Sequence, residues 1–230
     1  MEFLEILYQS IILIISFDYE VYEIILLSLR ISGLATFLSL IFGVMTAYFL
    51  VINKSKINNY LIIFLNSLMG IPPVVVGLIV YFIFSKGGLL GVFSILYTPT
   101  AMVIAQIILV YPIISSLLYE VFYDFWNRYR DTLRLFNMPG LAILFTFIKN
   151  SFFMILIIVL TGFGRAISEV GAVMIVGGNI DHYTRVMTTA IALETSVGNL
   201  QKATSLGLIL VLISMITYSI IYKFNKRKNI

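Results

Sequence analysis

Hydrophobic and polar positions fall in long separate blocks along this chain. Four runs contain no Asp, Glu, Lys or Arg: Ile31–Asn53, Ile57–Ser85, Gly87–Tyr119 and Ala203–Tyr222. Each run reaches the roughly 20 residues that an α-helix needs to cross the hydrocarbon core of a bilayer. A helix at a water surface keeps a polar face, whereas these runs are apolar all round. The pattern therefore predicts an all-α polytopic membrane protein.

Five membrane-spanning helices account for these blocks, and we place them at about 24–52, 60–84, 99–120, 148–176 and 202–222. Residues 1–17 are short for a span, so we expect them to lie at the outer interface. A short sixth crossing is the alternative for this segment. The chain then divides into an external or interfacial segment, a transmembrane domain and a basic cytoplasmic tail: 1–23, 24–222 and 223–230.

The composition excludes several classes of protein. The chain is 60% hydrophobic and 11% charged, with a mean hydropathy of +1.04, unlike a soluble domain. With 230 residues it has room for five or six spans but for no sizeable soluble domain. It has no cysteine, which excludes disulfides and thiolate metal sites, and the lone His182 cannot form a metal site. The net charge of +4 does not indicate nucleic-acid binding, because the placement of the charges matters more than their sum.

Basic residues are unevenly distributed among the segments that connect the spans. If the C-terminus is cytoplasmic, the inside segments hold ten of them: Lys54, Lys56, Arg128, Arg130, Arg134, Lys149, Lys223, Lys226, Arg227 and Lys228. The outside segments hold Lys86 and Arg185, with Lys202 at the foot of the last span. Since cytoplasmic loops are enriched in Lys and Arg, this bias predicts an outside N-terminus and a cytoplasmic C-terminus. The acidic N-terminal segment also lacks the positive start of a cleaved signal peptide.

Two irregular places interrupt the spans and their connections. Pro72 and Pro73 fall in the middle of the second span and should kink or break it. The sequence leaves open whether this is a packing kink or a helix that lines a translocation path. Residues 123–136 place apolar side chains among charges at helical spacing, before a break at 137–140. We expect a short amphipathic helix there, which rests on lipid or docks in the groove of a cytoplasmic partner.

Arg165 and Glu169 lie four residues apart and share one face of the fourth span. A charged pair inside a span is a functional candidate, and a structural ion pair between packed helices is the alternative. Counted from Ile148 at 1.5 Å per residue, Arg165 is expected about 26 Å into the span. In a hydrocarbon core about 30 Å thick, that is the outer third.

The segments Gly164–Ile180 and Thr184–Ser196 closely resemble the permease subunits of ATP-binding-cassette importers. The match is to the tungstate branch of the molybdate, tungstate and sulfate group. The stretch Ile71–Gly77 is similar to the second span of that group, and the resemblance covers about Asp18 to Tyr222. It implies a type I importer permease fold with no enzymatic activity of its own.

The resemblance also implies a mechanism and partners. A homodimer in the plasma membrane would import an oxyanion, most simply tungstate, by alternating access. An external binding protein would deliver the anion, and a cytoplasmic ATPase dimer would bind ATP and Mg²⁺. This chain has no Gly-x4-Gly-Lys-Ser/Thr loop, so the ATPase is a separate chain and no cofactor is expected here. Molybdate, sulfate or another small solute, and more distantly an intramembrane enzyme, are the alternatives.

Two sets of site residues follow from the resemblance. Within a coupling loop at 120–148, the ATPase would contact Arg130, Asp131, Thr132, Leu133, Leu135, Phe136, Asn137, Met138, Pro139 and Gly140. The path or gate would comprise Pro72, Pro73, Gly164, Arg165, Ser168, Glu169 and Gly171, with the small residues of the fourth span packed at a two-fold axis. Apolar anchors usually dominate such contacts, which favours Leu133, Leu135, Phe136 and Met138. The family pattern Glu-Ala-Ala-x3-Gly is absent at Arg130, Asp131, Thr132 and Phe136, so the resemblance leaves the geometry of the turn open.

Overall fold

The computed structural model describes residues 2–16, 18–53 and 55–228, and within them it contains ten α-helices and no strand. The helices are α1 Glu2–Ile15, α2 Tyr19–Ile52, α3 Lys56–Leu68, α4 Pro73–Phe84, α5 Pro99–Leu135, α6 Gly140–Asn150, α7 Phe152–Ile167, α8 Gly171–Gly177, α9 Met187–Ser196 and α10 Leu200–Lys228. This confirms the all-α prediction. The predictions for Met1, Phe17, Lys54, Asn229 and Ile230 lie outside the described residues.

Three of the described helices are long and apolar enough to cross a membrane: α2, α5 and the part of α10 up to Phe224. Two bent pairs meet the same criterion together, α3 with α4 at 104° and α6 with α7 at 74°. If each pair is one span, the total reaches five, as predicted. Helix α1 has 14 residues, a length of about 21 Å, and it packs against α10 through the bond from Ser10 Oγ to the carbonyl of Gln201 (2.9 Å).

Helices α2 and α5 run side by side in the same direction and form the centre of the bundle. Asp18 caps α2 by accepting a hydrogen bond from the Val21 amide at 3.1 Å, so α2 begins five residues earlier than predicted. At Gly43 the helices approach closely, because a Cβ there would lie 3.0 Å from Ile114 Cγ2. We call the end of the bundle where α2 begins the Asp18 end and the opposite end the Arg130 end. Helices α7 and α8 run back from the Arg130 end.

The predicted short amphipathic helix is not a separate element. Helix α5 continues to Leu135 without a break, so residues 123–135 form the last third of a 37-residue helix. No glycine or proline interrupts this part, and its apolar residues extend the buried face of the span. Phe122 and Trp126 pack on Phe147 of α6, with ring centroids 5.0 and 6.1 Å apart. The prediction of a short independent helix was therefore wrong.

The fourth span differs from the predicted continuous helix over 148–176. It is divided into α6, α7 and α8, and Ile148 lies in α6 rather than at the start of the span. The polar sequence Lys149-Asn150-Ser151 interrupts the apolar pattern at the 74° bend. Counted from Phe152, Arg165 lies about 20 Å along α7. This replaces the predicted 26 Å.

Candidate functional site

Glu169 lies in the break between α7 and α8, where its carboxylate is enclosed. Only 4% of its side chain is exposed, and Oε2 accepts a hydrogen bond from Arg165 Nη1 at 2.7 Å. Oε1 faces the first turn of α8 and accepts from the Ala172 amide at 3.3 Å. The Thr188 hydroxyl donates to the Glu169 carbonyl at 2.7 Å, which joins this break to α9. The fold therefore fixes a buried anion at an interruption of the helix.

Arg165, by contrast, lies on a face of α7 that the rest of this chain does not cover. Its side chain is 36% exposed. A Cβ at the neighbouring Gly164 would meet nothing within 4 Å, so this side of α7 is open. Ser168 is also exposed, and its hydroxyl donates to the Gly164 carbonyl at 2.9 Å. Three predicted path residues thus share one open face, with the cation accessible and its carboxylate partner buried.

Gln106 is a buried polar residue beside this site that the sequence analysis did not single out. Its Nε2 donates to the Ala166 carbonyl at 3.1 Å and so ties α5 to the last turn of α7. Its Oε1 has no hydrogen-bond partner among the described residues. A small cavity of about 10 Å³ lies between Gln106, Glu169 and Thr188. The sequence did carry a signal for Gln106, because an amide side chain stands there within an uncharged span. A polar group without a hydrogen bond costs free energy in such surroundings.

The two prolines break the second span, as predicted. Pro72 caps α4 and Pro73 is its first residue, a position where the missing amide costs no helical bond. The turn directs α4 onto α8, where a Cβ at Gly77 would lie 2.9 Å from Ala172 Cα. The prolines thus set the course of the helix that packs on the segment following Glu169.

Most of the small residues of the fourth span pack against helices of their own chain, and their packing at a two-fold axis stays a prediction. A Cβ at Gly171 would lie 2.8 Å from Val74 Cγ2, and one at Gly162 would lie 2.8 Å from Ile114 Cδ1. At Gly177 the nearest atom is Met102 Sδ, again at 2.8 Å. Helices α4 and α5 of the same chain therefore occupy these faces. Of the five glycines from Gly162 to Gly178, Gly164 alone has an open face.

The break predicted at 137–140 is present as a tight turn between α5 and α6. The Phe136 amide donates to the Thr132 carbonyl at 3.2 Å, and the Met138 amide donates to the Leu133 carbonyl at 3.3 Å. Asn137 closes the turn with a φ of 47°, a left-handed conformation that asparagine tolerates well. The turn is joined to α2 by the Tyr48 hydroxyl, which donates to the Gly140 carbonyl at 2.8 Å.

The predicted coupling residues divide into buried and exposed members. Leu133 is 7% exposed and belongs to the core, against which Met138 also packs. Leu135 and Phe136 are 83% and 76% exposed, and Leu141 continues the same apolar surface beyond the turn. The remaining members are exposed or half-buried: Arg130, Asp131, Thr132, Asn137, Pro139 and Gly140. Two of the four expected anchors thus support the fold, and the other two are available to a partner.

Charged residues cluster at the Asp18 end. The sequence showed that the N-terminal segment is acidic, but not which basic residues pair with it. Lys202 Nζ bonds Glu20 and lies 3.5 Å from Glu194 Oε1, which joins α2, α9 and α10. His182 is exposed, and its Nδ1 bonds Glu23 Oε2 at 2.6 Å. This hydrogen bond, with the charge of Glu23, raises the pKa of His182 above its ordinary value. In the described part of the chain, no group of three or more His, Cys, Asp or Glu side chains is placed to hold a metal ion.

Comparison with known proteins places the chain among transport subunits. It is 39% identical over 214 residues to the tungstate uptake system permease protein TupB of Peptoclostridium acidaminophilum, covering 93% of this chain and 94% of that protein. It is 33% identical over 171 residues to TupB of Campylobacter jejuni, covering 74% and 72%. A probable anion ABC transporter permease protein of Haloferax volcanii is 39% identical over 147 residues, covering 62% and 63%. No protein-family profile matches the chain.

These likenesses confirm the resemblance seen in the sequence, and the likeness to the Peptoclostridium acidaminophilum protein extends over 93% of the chain. The chain belongs to the tungstate-uptake type of ATP-binding-cassette permeases, and it is a multi-pass membrane transport subunit rather than an enzyme.

Proposed function

We propose that this chain forms the membrane path by which an ATP-driven importer takes up tungstate. The observation that carries the proposal is the likeness to a tungstate permease along 93% of the chain. The open Arg165 is consistent with it, because an anion needs hydrogen-bond donors to leave water. Arginine presents a planar fork of N–H donors suited to oxyanions.

The Arg165–Glu169 pair suits a gate better than a high-affinity site. Glu169 offsets the charge of Arg165 and fixes one of its nitrogens at 2.7 Å. The guanidinium can then offer its remaining donors to a passing anion without holding it tightly. The adjacent Ser168 hydroxyl and the open space at Gly164 leave room on the same face. We place the gate here, with the proline break flanking it.

We further propose that two copies of the chain assemble with an ATPase dimer and an external binding protein. Leu135 and Phe136 would be the main apolar anchors for the ATPase, since they are the most exposed of the predicted anchors. Phe136→Asp should abolish co-purification of the ATPase, whereas Phe93→Asp should not. Phe93 is a matched control because it is 67% exposed but lies near the Asp18 end. Undiminished ATPase binding by Phe136→Asp would remove this turn from the interface.

For orientation, we propose that the Asp18 end is external and the Arg130 end is cytoplasmic. The support is the excess of basic residues at the connections on the Arg130 side. Single cysteines at Asn59 and Lys226 should be labelled only after the membrane is made permeable. Cysteines at Ser94 and Asn179 should react with an impermeant reagent in intact cells. External labelling at Lys226 would overturn the orientation.

Transport itself is tested with the complete complex in proteoliposomes that contain ATP. Uptake of labelled tungstate should require ATP and the binding protein, and it should fall about tenfold or more in Arg165→Gln with the complex still assembled. Lys86→Gln is the control, because Lys86 is an exposed basic residue that makes no ion pair among the described residues. Competition with molybdate and sulfate ranks the anions. Uptake of sulfate with no uptake of tungstate would contradict the proposal.

A further inference from the structure

Arg30 is a cation on the outside of the bundle. It makes no ion pair or hydrogen bond with any described residue, and its side chain is exposed. Along α2 it belongs to a row of exposed apolar side chains that recur every three or four residues. The members nearest to Arg30 are Leu26, Leu34 and Phe37, with exposures of 64%, 45% and 58%. A charge in such a row reaches water at the interface or pairs with an anion from outside the chain.

The depth of Arg30 corresponds to the boundary of the hydrocarbon core. The uncharged part of α2 runs from Ile31 to its end at Ile52, a rise of about 32 Å. This matches the roughly 30 Å thickness of the core. Helix α5 gives the same level independently, because Pro99 to Tyr119 is also uncharged and rises about 30 Å. Arg30 and the start of α5 therefore lie where phospholipid headgroups meet the acyl chains.

At this level Arg30 lines a cavity of about 520 Å³ between α2, the start of α5 and the 178–186 loop. Four residues that carry a hydroxyl line the same cavity: Ser94, Thr98, Thr100 and Tyr183. The Thr98 hydroxyl donates to the Ile95 carbonyl at 2.5 Å, and the other three hydroxyls make no hydrogen bond within the described residues. The cavity thus presents one permanent positive charge and three free donors, a set that suits the oxygens of a phosphate diester.

The rest of the cavity wall is apolar and continues toward the core. Leu34 and Val103 line it on the side away from the Asp18 end, and Phe37 continues the exposed row. Acyl chains can follow this row. Glu23, which carries a carboxylate, lines an adjoining cavity of about 330 Å³ with Arg30. That carboxylate is already bonded to His182, so the positive charge of Arg30 is left for another anion.

We propose that this cavity binds the headgroup phosphate of an anionic phospholipid, with Arg30 as its principal contact and the acyl chains along the exposed row of α2. Three observations fit such an amphipathic anion. Arg30 lies at the level of the headgroups, the hydroxyls beside it are free, and the wall of the cavity continues as an apolar surface toward the core. The site is separate from the open face of α7. It requires only that the chain resides in a membrane, so it does not depend on which solute is transported.

The test is native mass spectrometry of the assembled transporter, exchanged from detergent into mixtures of phosphatidylglycerol and phosphatidylcholine. The wild type and Lys86→Gln should retain phosphatidylglycerol about tenfold more strongly than phosphatidylcholine. Arg30→Gln should lose this preference, and Arg30→Lys should keep part of it. Thr100→Trp should reduce retention with the charge intact, because the indole fills the cavity. Size-exclusion profiles show that each variant is folded.

Several results would overturn the proposal. Equal retention of both lipids by the wild type would show that no headgroup charge is recognised. Unchanged retention in Arg30→Gln would move any lipid site elsewhere. Displacement of the lipid by millimolar tungstate would assign the cavity to the transported anion instead. A disulfide between two copies that carry Phe37→Cys would show that a second chain, not lipid, covers the exposed row.

Discussion

Removal of either member of the Arg165–Glu169 pair should destabilise the protein, but by unequal amounts. Arg165→Gln leaves Glu169, which is 4% exposed in the wild type, with the Ala172 amide at 3.3 Å as the described partner of its carboxylate. Removing one partner of a fully buried pair costs about 3–5 kcal/mol. Since Arg165 is 36% exposed, water can partly replace it, and we expect about 2–3 kcal/mol. Glu169→Gln leaves an arginine that reaches water, and it should cost about 1 kcal/mol.

The measurement is thermal or denaturant unfolding of the purified permease in lipid nanodiscs. The double variant Arg165→Gln/Glu169→Gln should be more stable than Arg165→Gln alone, because no buried charge remains without a partner. Arg130→Gln is the control for loss of a surface pair, since Asp131 is 80% exposed. It should change the stability by less than about 1 kcal/mol.

Two results would refute this reasoning. A cost for Glu169→Gln equal to or above that for Arg165→Gln would mean that burial of the carboxylate does not control the pair. A double variant as unstable as Arg165→Gln would mean that the lost stability comes from packing and not from charge. If both single variants also kept wild-type tungstate uptake, the pair would be structural and the proposed gate would lie elsewhere.

Three further changes test other contacts of the fold. Gly77→Ala should lower the free energy of unfolding by about 1–3 kcal/mol in the same assay, because its Cβ would lie 2.9 Å from the backbone of α8. Gly33→Ala is the control: its Cβ would meet nothing within 4 Å, so the free energy of unfolding should stay the same or rise by up to about 1 kcal/mol. Tyr48→Phe should cost about 0.5–1.5 kcal/mol, because it removes the 2.8 Å hydrogen bond to the first carbonyl of α6. His182→Gln should lower the melting temperature below about pH 6.5, where the imidazole is charged in both the folded and the unfolded chain. The difference from the wild type should shrink as the pH rises through the raised pKa of His182, because its charged bond to Glu23 is then lost.

The long apolar helices could be predicted from the sequence, because uncharged runs of membrane length are visible in the order of the residues alone. The break at Pro72 and Pro73 was equally accessible, since proline acts on its own backbone. The division of the fourth span at Ser151 could not be predicted in this way, because a 74° bend depends on the helices against which the two parts pack. Phe147 shows the reason: its ring packs on Phe122 and Trp126, contacts that hold α6 against α5.

The candidate site was only partly visible in the sequence. The spacing of Arg165 and Glu169 identified a pair, but not that the anion is buried and the cation is open. That asymmetry comes from α8 and α9, whose Ala172 and Thr188 bond Glu169. For the same reason the burial of Leu133 could not be separated from the exposure of Leu135, which lies only two positions away. To distinguish a buried from an exposed side chain in these places, one must know which side of each helix packs against the rest of the fold.

The unbroken length of α5 has a mechanical consequence. With 37 residues it is a rod about 55 Å long that connects the Asp18 end directly to the turn at Phe136. A tilt of about 5° around the close approach at Gly43 would displace each tip by roughly 2–3 Å. Pro112, inside this rod, removes one backbone hydrogen bond close to that fulcrum. The helix therefore has two regular arms that meet at Pro112, and a change of the angle between them would move the turn at Phe136 relative to the Asp18 end.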